Sequence, residues 1–161
     1  MNYKIRKTKY TDESILKEML YHAIYVPAGS SPLCKTIVEL PELAGYYIKW
    51  GKTGDTGIIA ESENEIIAAI WIRLFNNSYQ GYGFIDKNIP ELSMSVITDY
   101  QGQGIGTKLL HELLNDDELA DYKAISLSVD KTNRAVNLYK RFGFEIFNES
   151  KKSYIMIKKF K

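Results

Sequence analysis

The chain has 161 residues, a length at which one core can be buried without disulfides or a structural metal. Its 21 basic and 20 acidic residues leave a formal net charge of +1, so bulk charge gives no reason to expect nucleic acid or an anionic membrane as a partner. Cys34 is the single cysteine, which excludes an internal disulfide and a multi-cysteine metal site and fits a reducing, cytoplasmic setting.

Met1 to Tyr10 carries Lys and Arg but leads into no apolar stretch, and no run is long enough to span a bilayer, so a soluble, unprocessed protein is expected. Tyr3-Lys4-Ile5-Arg6 alternates like a short edge strand. Thr11 or Asp12 then offers an N-cap to a helix carrying Ile15, Leu16, Met19 and Leu20. Pro27, Gly29 and Pro32 end that helix. Pro41 is expected to open a second one through Leu43, Tyr46, Tyr47 and Trp50, which Gly51 to Gly54 close.

Gly57–Glu61 and Ile66–Ile72 are β-rich runs around the polar Ser62-Glu63-Asn64-Glu65, which predicts an antiparallel hairpin. Asn76–Lys87 reads as a polar loop. Leu92, Met94 and Val96 alternate with Ser93 and Ser95 in a further strand that runs directly into Gln101-Gly102-Gln103-Gly104-Ile105-Gly106. Leu109, Leu110, Leu113 and Leu114 continue from Ile105 with helical spacing, and Ala124–Val129 is a strand, completing a β-loop-α-β unit. Ala135, Leu138, Tyr139 and Phe142 mark another amphipathic helix with Gly143 as its left-handed cap. Phe144–Phe147 and Tyr154–Ile157 are the last strands.

The glycine loop carries the chemistry. A pyrophosphate is best met by several backbone N–H groups at a helix N-terminus, and glycines let the backbone come close. Two other phosphate loops fail on these residues. A Walker loop needs Gly before its Lys and Ser or Thr after it, whereas Lys108 lies between Thr107 and Leu109. A dinucleotide fingerprint needs a third glycine three residues after the second, where this chain has Thr107 or Leu109.

Gln101-x-x-Gly104-x-Gly106 resembles the Gln/Arg-x-x-Gly-x-Gly/Ala signature of the GNAT superfamily of N-acetyltransferases. The stretch from Ser128 to Phe144, with Asn133, Ala135, Leu138-Tyr139 and a closing Gly143-Phe144, resembles that superfamily's later motif. Before about Leu92 the likeness is one of layout only. The resemblance implies a single α/β (α+β) domain over residues 1–161, its central, largely antiparallel sheet splayed at one parallel pair and flanked by helices. It implies acetyl-CoA as cosubstrate, with Val96, Ile97 and Thr98 along the pantetheine arm. Gln101, Gly102, Gln103, Gly104, Ile105, Gly106 and Thr107 would hold the pyrophosphate, Asn133 would hydrogen-bond the arm, and Tyr139 would lie near the sulfur.

Attack of an amine on a thioester needs a neutral amine, a stabilised carbonyl oxygen and a proton for the departing thiolate, and it needs no metal. Tyr139 is the candidate general acid, although its place in an apolar stripe also suits a core role. Glu91, on one strand face with Ser93 and Ser95, is the candidate general base, with a water relay or a plain strand-end carboxylate as the alternatives. Cys34, His22 and His111 lack any catalytic or metal-binding pattern. Tyr21, Tyr25, Tyr46, Tyr47 and Trp50 either wall an acceptor pocket or pack as core. The expected acceptor is a small-molecule or peptide amine, for which Asp86 and Glu91 are a faint cationic hint. Both a monomer and a homodimer are compatible. The rival reading is a non-catalytic acyl-CoA-binding or sensing module.

Overall fold

The computed structural model of the chain describes residues 1–160. Its strands are β1 (Lys4–Lys7), β2 (Thr56–Ser62), β3 (Glu65–Arg73), β4 (Glu91–Val96), β5 (Ala124–Asp130), β6 (Glu145–Glu149) and β7 (Ser153–Lys159). The helices are α1 (Glu13–Ala23), α2 (Pro41–Ala44), α3 (Ile105–Leu114) and α4 (Ala135–Arg141). The strands form one seven-stranded sheet in the order β1-β2-β3-β4-β5-β7-β6. Every neighbouring pair is antiparallel except β4 and β5. That parallel pair meets at one register point, Glu91 opposite Ser126, and Ser126 N–H donates to the Pro90 carbonyl at 3.0 Å. Beyond it the two strands part, as expected for the splayed sheet.

The β2–β3 hairpin closes on Glu63 and Asn64, both with positive φ (50° and 69°), the backbone twist of a two-residue type I′ turn. Each face of the sheet carries a core. On one, α3 lays Ile105, Leu109, Leu110 and Leu113 against Ile58, Ile70, Leu92, Ile125 and Leu127, and α4 adds Val136 and Tyr139. On the other, Leu16, Met19 and Leu20 of α1 pack with Tyr46, Tyr47 and Trp50 against Ile59, Ala69 and Trp71. Burying each such aliphatic side chain is worth roughly 1.5–3 kcal/mol. No helix among the described residues is long and apolar enough to cross a membrane.

Two local expectations need correction. The second helix does not run to Trp50, since α2 ends at Ala44 and turns follow. The carbonyls that would have continued it are taken by side chains of β3. Arg73 donates to the Gly45, Ile48 and Lys49 carbonyls, and Trp71 Nε1 to the Tyr46 carbonyl at 3.0 Å. Asp12 precedes α1 but does not cap it with its side chain. Its carboxylate instead accepts from both Arg6 Nη atoms and the Lys9 N–H, tying the end of β1 to the helix start.

Candidate active site

The glycine loop joins the open end of β4 to α3. Gly102 and Gly104 stand at φ 75° and 81°, with nothing within 4 Å of where a Cβ would sit. Backbone conformation, more than crowding, is therefore what favours glycine there. Gly104 is the residue from which α3 starts. The N–H groups of Gly102, Gln103, Gly104, Ile105, Gly106 and Thr107 have no partner among the described residues. A row of free donors at the positive end of a helix fits an anionic diphosphate without further machinery.

The gap between β4 and β5 continues from this loop. Ile97 N–H donates to Ile67 of β3 at 2.9 Å, so strand alternation turns the backbone groups of Met94 and Val96 away from β3 and into the gap. Gln101 Nε2 donates to the Val96 carbonyl at 3.0 Å, so the side chain that opens the motif locks the loop to the strand end. The strand itself stops at Val96. Ile97 still bonds β3, and Thr98 begins a 3₁₀ turn over Thr98–Tyr100 whose Thr98 carbonyl accepts from Gln101 N–H. Across the gap, Asn133 Oδ1 accepts from Ala135 N–H at 2.9 Å, fixing the turn that enters α4. Its Nδ2 has no partner among the described residues.

Tyr139 lies in α4 with 6% of its surface exposed and its ring edge-on to Phe144, centroids 5.7 Å apart. Burial pushes its phenol upward, so it stays protonated at neutral pH. Its hydroxyl has no hydrogen-bond partner among the described residues.

Glu91 stands at the closed vertex of the gap, the far end of β4 from the glycine loop, roughly 17 Å of strand away at about 3.4 Å per residue. It shares a strand face with Ser93 and Ser95, opposite Arg73, Trp71 and Ala69 of β3. Only 4% of Glu91 is exposed. Its Oε1 accepts from the Tyr46 hydroxyl at 2.8 Å and from Gly83 N–H at 2.7 Å, whereas Oε2 is buried without a partner among the described residues. Burial raises this carboxyl to about 7 against the pull of those two donors.

The cover over Glu91 comes from the loop before β4. Gly83 carbonyl accepts from Ser126 Oγ at 2.7 Å, and Tyr82 N–H donates to the Tyr46 hydroxyl at 2.8 Å. A Cβ on Gly81 would lie 1.8 Å from Oε2, and one on Gly83 would lie 2.8 Å from Oε1, so glycine is required for this close approach. Gly81, Gly83 and Ser126 are the site neighbours that the sequence did not single out, and Tyr46, expected as pocket wall or core, is the one that reaches Glu91. The Gly81-Tyr82-Gly83 spacing was the one signal available. Of the first-half aromatics, Tyr46, Tyr47 and Trp50 are buried in the core. Tyr21 donates to the Leu33 carbonyl, and the Tyr25 hydroxyl lies 3.4 Å from Thr132 in the turn after β5. Cys34 and His111 are exposed.

Comparison with known proteins agrees with this geometry. The family model described as an acetyltransferase (GNAT) domain matches residues 53–146, more than half of the chain. The chain is 30% identical over 105 residues to N-alpha-acetyltransferase 50 of Danio rerio, covering 64% of this chain and 58% of that protein. It is 25% identical over 111 residues to the probable N-acetyltransferase san of Drosophila melanogaster, covering 68% of this chain and 57% of that protein. The chain thus spans little more than half the length of the curated relatives it matches. Among solved structures, the PaiA N-acetyltransferase of Thermoplasma acidophilum in complex with coenzyme A shares the fold at TM-score 0.65 and 19% identity, over 99% of this chain and 100% of that one. With the loop, the splayed pair and the match over residues 53–146 in agreement, the chain belongs to the GNAT acetyltransferase domain family.

Proposed function

We propose that the chain, acting as one such domain, transfers the acetyl group of acetyl-CoA to a primary amine by direct attack in a ternary complex. The observation that carries this reading is the row of N–H groups from Gly102 to Thr107 without a partner among the described residues, opening onto a gap into which the N–H groups of Met94 and Val96 also point. Gln101 to Thr107 hold the diphosphate. Val96, Thr98 and Asn133 line the arm, whereas Ile97, whose N–H is held by Ile67 of β3, supports that strand end from the other side. Bound acetyl-CoA supplies the activated thioester carbonyl. Tyr139 keeps a proton on its hydroxyl and donates it to the departing sulfur. Glu91 takes the proton lost by the amine, through water, because its cover leaves no room for the amine itself. Oε2 is the atom left to accept it, since Oε1 already receives two donors. A carboxyl at about 7 is near the value at which a general base works best at neutral pH.

The curated relatives' names refer to N-acetyltransferases, one of them an N-alpha-acetyltransferase, so the acceptor class includes peptide N-termini alongside small-molecule amines. We place the protein in the cytoplasm on the strength of its single free cysteine, which cell fractionation checks. The deciding experiment is thiol release from acetyl-CoA across amines, polyamines, amino acids and short peptides. Release with at least one acceptor is expected. Tight CoA binding with no release on any acceptor would instead identify a binding or sensing module.

A further inference from the structure

Arg73 has a strongly partnered guanidinium far from the glycine loop. It is 3% exposed, and its Nε and Nη2 form a fork on Asp55 at 3.0 and 2.8 Å. The remaining donors reach the Gly45 carbonyl at 2.9 Å, Ile48 at 2.7 Å and Lys49 at 3.3 Å, with the Trp50 ring 5.3 Å away. A buried pair of this kind contributes little net stability by itself, because desolvation offsets the attraction. It does impose geometry, since a planar fork holds several acceptors at once. What it holds is the turn that carries Tyr46, the residue whose hydroxyl reaches Glu91.

We propose that Arg73 is a positioning residue for the reaction: by taking the carbonyls of Gly45, Ile48 and Lys49 it fixes the turn bearing Tyr46, and thereby the hydrogen bond from Tyr46 to Glu91. The reaction role rests on Glu91 as the base; the positioning can be read without it. Arg73 sits directly opposite Glu91 in the β3–β4 register. It is the one basic residue on the strands flanking β4, yet its charge is engaged by Asp55 instead. Glu91 therefore faces the Tyr46 phenol from the α2 turn, the Gly83 N–H from the loop and Ser126 from β5, with no ion pair among the described residues. Its coupling to Arg73 runs through Tyr46.

The test follows the Glu91 carboxyl carbon by NMR titration, a readout independent of turnover, together with the pH–rate profile of thiol release. Tyr46→Phe removes one donor that favours the charged carboxylate, so the midpoint should rise from about 7 by about one pH unit. Arg73→Lys keeps a cation for Asp55 but cannot hold three carbonyls, and should raise the midpoint in the same direction. Added to Tyr46→Phe it should raise it no further. Should Arg73→Lys fail to fold, the double variant Arg73→Gln/Asp55→Asn, which leaves no unpaired charge, is measured the same way. A folded variant that melts earlier but keeps the wild-type midpoint, or one whose shift adds fully to that of Tyr46→Phe, overturns the proposal. If the midpoints move as expected while the pH–rate profile ignores Glu91→Gln, the positioning stands and the base assignment falls.

Discussion

Glu91 combines a buried carboxylate with two donors on one oxygen and none on the other, and this asymmetry gives it a measurable effect on folding. The carboxyl titrates at about 7 in the folded chain against 4.5 for an ordinary Glu, so the folded state holds the proton more tightly than the unfolded one. Its stabilising contribution is complete below about pH 4.5 and is lost as pH rises through 7. At about 1.4 kcal/mol per pH unit, the charged form costs roughly 3 kcal/mol at pH 8. Glu91→Gln should therefore melt with a flatter dependence on pH between 5 and 8, and above pH 7.5 it should be the more stable protein. Urea melts at several pH values check this. A variant that keeps the wild-type slope would place the titration elsewhere. Tyr139 makes the opposite kind of prediction. Its ring is packed but its hydroxyl bonds nothing among the described residues, so Tyr139→Phe should change stability by no more than about 0.5 kcal/mol. Turnover should fall at least tenfold and CoA affinity should hold, as steady-state kinetics and calorimetry would record; unchanged turnover removes the acid role.

The glycine loop and α2 differ in how much of them could be read from the residues alone. Gly104 starts α3 in the left-handed region, so Gly104→Ala strains the backbone by roughly 1 kcal/mol or turns the free N–H groups aside. CoA should bind several-fold more weakly in equilibrium titration. Gly106 lies inside the helix, and its added Cβ would meet Met94 and Val96 at 3.6 and 3.7 Å, ordinary contacts. Gly106→Ala should raise stability by up to about 1 kcal/mol through helix propensity and leave affinity within about twofold. Equal losses in the two variants would mean that crowding, and not backbone conformation, sets this loop. Both glycines were legible because the motif is local: strand, loop and helix follow one another, and each signals itself by period. The end of α2 was not, because Arg73 and Trp71, more than twenty positions later, claim its carbonyls. The burial of Glu91 was hidden for the same reason. Alternation gave its strand face correctly, but the cover from Tyr46, Gly81 and Gly83 comes from two other segments. Contacts distant in the chain leave no periodic trace, whereas strands and amphipathic helices do.

At the scale of the molecule, the sheet is two antiparallel halves, β1-β2-β3-β4 and β5-β7-β6, joined at a single parallel register point. The core under α3 and α4 spans both halves, whereas the core under α1 is built on β2 and β3. The gap between the halves is thus floored by packed side chains but edged by unpaired backbone, an arrangement that a ligand able to form strand-like hydrogen bonds would complete. This has a consequence for hydrogen exchange. Without ligand, the amides of Met94 and Val96 should exchange quickly for residues inside a strand, because they face the gap, while that of Ile97, bonded to Ile67, should be slow. At free CoA about a hundredfold above its Kd, amides covered by the ligand should slow by about a hundredfold, and the fold should gain about 2.7 kcal/mol. For a chain of this length that corresponds to a rise in Tm of roughly 5–10 °C. The protected set should include Gly102 to Thr107 together with Met94 and Val96. Protection confined to the glycine loop, with Met94 and Val96 unchanged, would mean that the loop grips a diphosphate while the arm runs elsewhere. The splayed pair would then be a feature of the fold alone.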